Sequence, residues 1–177
     1  MTKFINLLTA FRILLAPVIL FFLIFGEYLI CIFLFFLAGL SDYFDGYLAR
    51  KFNSESQLGE ILDPIADKIL IVFILIGLSV NLNSYLMATL SSFIISREIG
   101  VAALRDYAAR NDMSHKTKVT FLAKSKTALQ LFTIMLYLAA LSFKINLLII
   151  IGDISLIAAT LITLYTGYEY ASNIFTK

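Results

Sequence analysis

Four aspartates in the first half of the chain have the spacing of a carboxylate cluster. Asp42 and Asp45 are three residues apart, and Asp63 and Asp67 are four residues apart. Residues at these separations share one face of a helix. A polar turn near residues 53–56 separates the two pairs, so their helices are expected to be antiparallel neighbours whose acidic faces meet. The sequence therefore predicts four carboxylates at one site.

The chemistry that such a cluster supports is metal binding, because carboxylates that converge in an apolar environment repel one another unless cations neutralise them. All-oxygen ligation suits hard ions such as Mg²⁺ or Mn²⁺. Four acids are enough for two ions, and two-metal sites suit displacement at phosphorus. A structural alternative stays open at this point, in which Asp42 or Asp45 forms an ion pair with Arg50.

Glycines and an arginine flank the aspartates. Gly46 follows Asp45, and Gly59 lies one turn before Asp63, so a bulky ligand could approach the backbone at both glycines. Arg50 lies four residues after Gly46 on the same helix face, where its planar guanidinium could clamp a phosphate. These positions favour a phosphate-bearing ligand.

The elements that position these residues must lie in a membrane. Of the 177 residues, 60% are hydrophobic and only 15% are charged, against about 25% charged in ordinary soluble domains. The composition excludes a soluble enzyme, a disulfide scaffold and a disordered tail, and the net charge of +2 gives no nucleic-acid footprint. We predict one all-α integral membrane domain, residues 1–177, with six transmembrane helices at approximately 5–25, 28–50, 58–80, 84–110, 120–143 and 146–170.

Lysines and arginines set the expected orientation. Six spans would place Lys144 alone on one side of the membrane and collect nine cations on the other, namely Lys3, Arg50, Lys51, Arg110, Lys116, Lys118, Lys124, Lys126 and Lys177. Positively charged loops stay in the cytoplasm. Both termini are therefore predicted to be cytoplasmic.

Each predicted span carries charge in its cytoplasmic part. Four of the five longest uncharged stretches have only 14 to 17 residues, short of the roughly 20 that cross the hydrocarbon layer. Ionisable groups at such depth normally face a bundle interior or a wet cavity. We therefore expect a polar active-site cavity that opens to the cytoplasmic side.

The aspartate pattern resembles the signature of a known enzyme family. The spacing D-x-x-D-G-x-x-A-R, eight residues, G-x-x-x-D-x-x-x-D is matched at every position, by Asp42, Asp45, Gly46, Ala49, Arg50, Gly59, Asp63 and Asp67. It is similar to the signature of the CDP-alcohol phosphatidyltransferases, which are membrane enzymes with six transmembrane helices that work as homodimers. The resemblance implies two divalent ions, Mg²⁺ or Mn²⁺, bound to the diphosphate of a CDP-linked donor.

The resemblance also implies a role for each matched position. Asp42, Asp45 and Asp63 would be metal ligands, and Asp67 would be both a ligand and the general base. The remaining four positions would line the CDP site, namely Gly46, Ala49, Arg50 and Gly59. The donor would be CDP-diacylglycerol, reached from the membrane lipids of a bacterial inner membrane, with the active site facing the cytoplasm.

Three further blocks resemble the branch of this family whose acceptor is sn-glycerol 3-phosphate. They are Asn6-Leu7-Leu8-Thr9 with Arg12 and Pro17, Arg97-Glu98-Ile99 with Leu104-Arg105, and Lys124-x-Lys126-Thr127 with Gln130. The third block departs from the pattern, because Ala123 stands where glycine is usual. The positive charges near the cytoplasmic mouth support a phosphorylated acceptor, and those expected to bind its phosphate are Arg105, Arg110, Lys124 and Lys126.

Two alternatives remain open from the sequence. A sister transferase would use phosphatidylglycerol, inositol phosphate or another alcohol as acceptor. A cation-coupled transporter would use the intramembrane aspartates as an ion path, but the chain has no internal repeat of the kind that many transporters carry. No role is predicted for His115 or Asp153.

Overall fold

The described part of the chain folds into six helices. A computed structural model describes residues 2–52, 57–111, 113 and 121–175. Its helices are α1 (Thr2–Ile24), α2 (Tyr28–Phe52), α3 (Gln57–Asn81), α4 (Tyr85–Arg110), α5 (Phe121–Phe143) and α6 (Asn146–Phe175). The prediction of an all-helical protein is confirmed, and His115 lies outside the described residues.

Five of these helices, α1, α2, α4, α5 and α6, are long and apolar enough to cross a membrane. Large apolar side chains stand exposed on the outer surface of the bundle, among them Leu14, Phe21, Ile154 and Leu161. So much exposed apolar surface is unfavourable in water and favourable in lipid. Helices also suit lipid, because their backbone hydrogen bonds are satisfied within each helix. These features identify a multi-pass membrane protein.

The helices of the described part contact one another in a closed ring. Around the ring α1 packs on α2, α2 on α5, α5 on α6, α6 on α4, α4 on α3, and α3 returns to α1. Across the ring, α3 also contacts α5. Consequently α3, which carries half of the aspartates, has neighbours on three sides.

The apolar core lies where α1, α2, α3 and α5 meet. Ile19, Leu23, Ile74, Leu78 and Leu138 are among its fully buried side chains. Ile19 and Leu23 follow Arg12 on α1, and Ile74 and Leu78 follow Asp67 on α3. The apolar core therefore lies next to the charged segments of these two helices.

Hydrogen bonds tie the two turns at the far end of this core. The Asn81 side-chain amide donates to the carbonyl oxygen of Leu23 at 2.6 Å, and the Tyr28 hydroxyl donates to Asn81 Oδ1 at 2.6 Å. Gly26, in the first of these turns, has φ of +77°, a conformation that glycine adopts without steric cost. These contacts fix the spacing of α1, α2 and α3.

The last helix is five residues longer than predicted. Tyr170 and Ile174 are buried near its end, and the Arg105 guanidinium on α4 donates to the Tyr170 hydroxyl at 3.0 Å. The rings of Tyr107 and Phe175 also lie 6.1 Å apart. Packing against α4 therefore extends α6 past the end of its apolar stretch.

Polar side chains pair along the contact between α5 and α6. The Tyr137 hydroxyl donates to Asp153 Oδ1 at 2.6 Å, and the hydroxyls of Thr133 and Ser155 lie 2.6 Å apart. Because hydrogen bonds between helices are a main source of association in lipid, these pairs hold α6 against α5. Asp153, which had no predicted role, is thus a helix-packing residue.

Tyr137→Phe is expected to lower the free energy of unfolding by about 1–2 kcal/mol, because the half-buried Asp153 carboxylate loses its donor. Unfolding in a denaturing detergent, followed by circular dichroism, measures this change. Tyr165→Phe is the matched control, since Tyr165 is exposed on α6. Equal stability of the two variants would contradict the assigned role.

Candidate active site

Three of the four signature aspartates converge on one cation. Asp42 and Asp45 on α2 and Asp67 on α3 all pair with the guanidinium of Arg12. The distance is 2.9 Å from Arg12 Nη1 to Asp42 Oδ1 and 2.6 Å from the same nitrogen to Asp67 Oδ1. The carboxylates of α2 and α3 thus come together around Arg12 of α1. The prediction that α2 and α3 are themselves neighbours is wrong for the described residues, because α1 packs between them.

The fourth aspartate is held beside them by a different contact. The Thr9 hydroxyl on α1 donates to Asp63 Oδ1 at 2.7 Å. Thr9 lies three residues before Arg12, which puts both on one face of α1. That face of α1 therefore contacts all four aspartates.

Arg12 was not predicted to lie in the site. Its side chain is only 1% exposed, and its Nε donates to the Ser41 hydroxyl at 3.5 Å. A charge inside the apolar run of α1 was the signal available in the sequence, since such a charge normally has partners of opposite sign. The signal does not name those partners, because they come from α2 and α3.

The donor chemistry of the site fits a divalent cation. The four side chains supply carboxylate oxygens, the ligands that Mg²⁺ and Mn²⁺ prefer. Three of them already surround one positive charge, so the arrangement tolerates a cation. Within the described residues, no three His, Cys, Asp or Glu side chains are close enough together to hold one ion. Arg12 contacts the same carboxylates that a metal would need.

The predicted CDP-binding positions are described in part. Gly59 is buried in α3 one turn before Asp63, and Gly46 is half-buried in α2 directly after Asp45. The side chains of Ala49, Arg50 and Lys124 lie outside the described part of the structure. The alternative ion pair between Arg50 and an α2 aspartate lies outside it as well, and Arg12 is the observed partner of both Asp42 and Asp45.

A cavity of about 420 Å³ opens beside Asp67, between α3, α4 and α5. Its walls carry four cations, namely Lys68, Arg97, Arg105 and Lys126. The structure thus brings Arg105 and Lys126 together, as predicted, and adds Lys68 and Arg97. It does not bring Arg110 to this wall, because Arg110 is 77% exposed and pairs with Asp106 at 2.9 Å.

Glu98 also lines this cavity, and its role was not predicted. Its Oε1 accepts a hydrogen bond from Arg97 Nη1 at 3.1 Å and another from Lys126 Nζ. On the far side of Arg97, Nη2 donates to the Thr166 hydroxyl at 2.8 Å. Sequence spacing could not reveal this arrangement, because it joins residues of α4, α5 and α6.

A second cavity, of about 370 Å³, lies on the other side of Asp67, between α2, α3 and α5. Arg12, Asp42 and Asp67 form its polar end. Apolar side chains form most of the remaining wall, among them Phe35, Phe36, Leu70, Leu131 and Met135. Asp67 is therefore shared by an apolar cavity and a basic one.

The chain is similar to known proteins over most of its length. Residues 4–166 match the sequence profile of the family described as CDP-alcohol phosphatidyltransferase. Three similar proteins carry the name CDP-diacylglycerol–glycerol-3-phosphate 3-phosphatidyltransferase. The one from Blochmanniella floridana is 39% identical over 94% of this chain and 88% of its own length. The one from Rickettsia bellii is 40% identical over 77% and 74%, and the one from Salmonella typhimurium is 32% identical over 94% and 92%. The chain therefore belongs to the CDP-alcohol phosphatidyltransferase family.

Proposed function

We propose that this protein is a phosphatidylglycerophosphate synthase. It transfers the phosphatidyl group from CDP-diacylglycerol to sn-glycerol 3-phosphate and releases CMP. The observation that carries the proposal is the position of Asp67, which lines both the apolar cavity and the basic cavity. A lipid donor and a small phosphorylated acceptor need such adjoining sites.

The apolar cavity suits the donor. CDP-diacylglycerol would enter sideways from the lipid. An acyl chain would lie against Phe35, Phe36 and Met135, and the diphosphate would point toward the aspartates. Asp42, Asp45, Asp63 and Asp67 would hold two divalent ions, Mg²⁺ or Mn²⁺, which would neutralise the diphosphate and the departing CMP. Gly46, Ala49, Arg50 and Gly59 would line the CDP site.

The basic cavity suits the acceptor. Arg105 and Lys126 would bind the phosphate of sn-glycerol 3-phosphate, and Lys124 would join them. Arg110, which was also expected there, is left out of the proposed site because it is exposed and pairs with Asp106 away from the cavity wall. Bound in this way, the acceptor would have its hydroxyl on the side of the cavity that Asp67 lines. Positioning the two reactants in this way removes much of the entropic barrier to their reaction.

Asp67 would act as the general base. Its carboxylate accepts the proton of the acceptor hydroxyl while that oxygen forms a bond to the β-phosphorus of the donor. The bond between this phosphorus and the bridging oxygen breaks, and CMP leaves with the electron pair. The transfer needs no covalent enzyme intermediate.

The membrane arrangement follows from the same proposal. All six helices would span a bacterial inner membrane, with both termini and the active site on the cytoplasmic side, where the acceptor and CMP are soluble. The chain would form one transmembrane domain, residues 1–177, and would work as a homodimer.

One assay tests the proposal and its alternatives together. The purified protein is incubated with CDP-diacylglycerol, Mg²⁺ or Mn²⁺ and one candidate alcohol at a time, and CMP release is measured. Release with sn-glycerol 3-phosphate supports the proposal. Release only with phosphatidylglycerol or inositol phosphate would assign a sister activity, and cation flux into liposomes without any CDP-lipid would favour a transporter.

Arg105→Ala is expected to raise the KM for sn-glycerol 3-phosphate about tenfold and to change kcat much less, because a charged phosphate contact is lost. The KM for CDP-diacylglycerol should stay the same. Lys144→Ala, which removes a cation between α5 and α6 far from the cavity, is the control. An unchanged acceptor KM would remove Arg105 from the acceptor site.

A further inference from the structure

Glu98 is an acidic side chain on a cavity wall that is otherwise rich in cations. Its carboxylate lies between Arg97, which precedes it on α4, and Lys126, which comes from α5. An anion at this place reduces the positive charge that a phosphate would meet. Its presence in a phosphate pocket therefore needs a physical reason.

The contacts of Arg97 supply the first part of that reason. Its side chain is buried, with Nη1 bound to Glu98 and Nη2 bound to Thr166. Gly167 packs against it so closely that a Cβ there would come within 2.9 Å of Arg97 Cγ. Arg97 therefore contacts α6 on one side and Glu98 on the other, so α6 fixes the position of Arg97 and Arg97 fixes that of Glu98.

The second part of the reason lies with Lys126. Its side chain is 8% exposed and its ammonium donates to the Glu98 carboxylate. Burying an ammonium without an anionic partner is costly. Glu98 therefore stabilises the charge of Lys126 and fixes the position of its nitrogen on the cavity wall.

We propose that Glu98 is a positioning residue for the acceptor. Through the series of contacts Thr166–Arg97–Glu98–Lys126 it holds the Lys126 ammonium where the acceptor phosphate binds. Glu98 itself need not touch the substrate. This inference rests on the proposed function, because it assigns a task to a residue of the proposed acceptor pocket.

Removing the Glu98 charge has two effects of opposite sign. The pocket becomes more positive, which favours a phosphate, and Lys126 loses its direct partner, which disfavours one. The second effect is the larger, because the contact between Glu98 and Lys126 is direct, charged and buried. The repulsion between Glu98 and the acceptor phosphate is weaker, because Arg97 and Lys126 neutralise the Glu98 charge. The acceptor should therefore bind more weakly.

Glu98→Gln tests the proposal, because it keeps the shape of the side chain and removes its charge. We expect the KM for sn-glycerol 3-phosphate to rise about tenfold, with kcat and the KM for CDP-diacylglycerol within about threefold of the unmodified protein. Glu27→Gln is the matched control, since it removes a carboxylate from the α1–α2 turn, at the opposite end of the bundle. An unchanged or lower acceptor KM would overturn the proposal.

If Glu98 only supported the fold, Glu98→Gln would change kcat and the acceptor KM differently. A variant that is partly unfolded loses kcat in proportion to the inactive fraction, while the remaining molecules keep their KM. The split between KM and kcat therefore separates positioning from folding. A loss of kcat with an unchanged acceptor KM would show that Glu98 only supports the fold, and the proposal would be wrong.

Gly167→Ala, on α6, perturbs the contacts of Arg97 without changing any charge. Its Cβ would displace Arg97, so the acceptor KM should rise here too, though less than in Glu98→Gln. Gly100→Ala is the control, because a Cβ at Gly100 on α4 would meet no atom of the described structure within 4 Å. Equal acceptor KM values in both glycine variants would argue against a role for Arg97 in holding Glu98.

The unmodified protein separates failure of this inference from failure of the proposed function. If it releases no CMP with sn-glycerol 3-phosphate, the proposed function fails, and this inference fails with it. If it does release CMP and Glu98→Gln keeps the same acceptor KM, only the positioning role is rejected.

Discussion

Asp67→Asn is expected to reduce CMP release by at least about a thousandfold while the protein stays folded. An amide cannot take the proton from the hydroxyl of sn-glycerol 3-phosphate, and its neutral oxygen is a weaker metal ligand than a carboxylate. The loss is expected to be large because Asp67 is proposed to be both the general base and a metal ligand. Asp67 lines both cavities and also pairs with Arg12. The loss should appear in kcat, measured at saturating concentrations of both substrates.

Asp153→Asn is the matched control for this substitution. It makes the same chemical change in another helix, α6, and an asparagine oxygen can still accept the hydrogen bond from Tyr137. This control should retain most of the activity. Near-normal turnover by Asp67→Asn would rule out Asp67 as the base, and an equal loss in both variants would point to damage to the bundle.

Arg12→Met is expected to have the second large effect, in this case on stability. The substitution leaves Asp42, Asp45 and Asp67 without their shared cation in a site where Arg12 is almost completely buried. Asp45 is the buried member of the three, whereas Asp42 and Asp67 are about half exposed. The cost therefore comes mainly from Asp45, and removing one partner of a buried ion pair typically costs about 3–5 kcal/mol. The melting temperature of the purified protein in a mild detergent, without divalent ions, should therefore fall by several degrees.

Divalent ions should restore much of the stability that Arg12→Met loses. Three carboxylates without a partner bind a cation tightly, so Mn²⁺ should raise the melting temperature of Arg12→Met more than that of the unmodified protein. Arg110→Met is the control for stability, since Arg110 is exposed and its pair with Asp106 contributes little. If Mn²⁺ shifts the Arg12→Met and unmodified proteins equally, the carboxylates around Arg12 do not form a metal site.

The helices were predictable because long apolar runs separated by polar turns define them locally. Each predicted boundary lies within five residues of the observed one. The largest difference, at the end of α6, arises from contacts with α4 that involve Tyr170 and Phe175. Contacts of this kind depend on the packing of distant helices and leave no local pattern.

The aspartates were predictable for a related reason. Their spacing of three and four residues places each pair on one helix face. The expectation that α2 and α3 are direct neighbours is wrong for the described residues, because α1 packs between them and its Arg12 joins the two faces. Asp42, Asp45 and Asp67 do converge. The pattern is therefore informative both as spacing and as a family signature.

The partners of the charged side chains were not predictable from the sequence. Arg12 could be identified as an intramembrane charge, but its three partners depend on how α1 packs against α2 and α3. Similarly, Arg97 and Glu98 are consecutive residues, which normally point in different directions on a helix. Their contact forms because Thr166 and Lys126 approach from two other helices.

The proposed function is tested most directly by the product that the purified protein forms from CDP-diacylglycerol and sn-glycerol 3-phosphate. In the presence of Mg²⁺ or Mn²⁺, we expect equal amounts of CMP and phosphatidylglycerophosphate, no product after chelation of the metal, and none from Asp67→Asn. Formation of phosphatidylglycerophosphate by Asp67→Asn would show that Asp67 is not the base, and a failure of the unmodified protein to form it under these conditions would show that the proposed function is wrong.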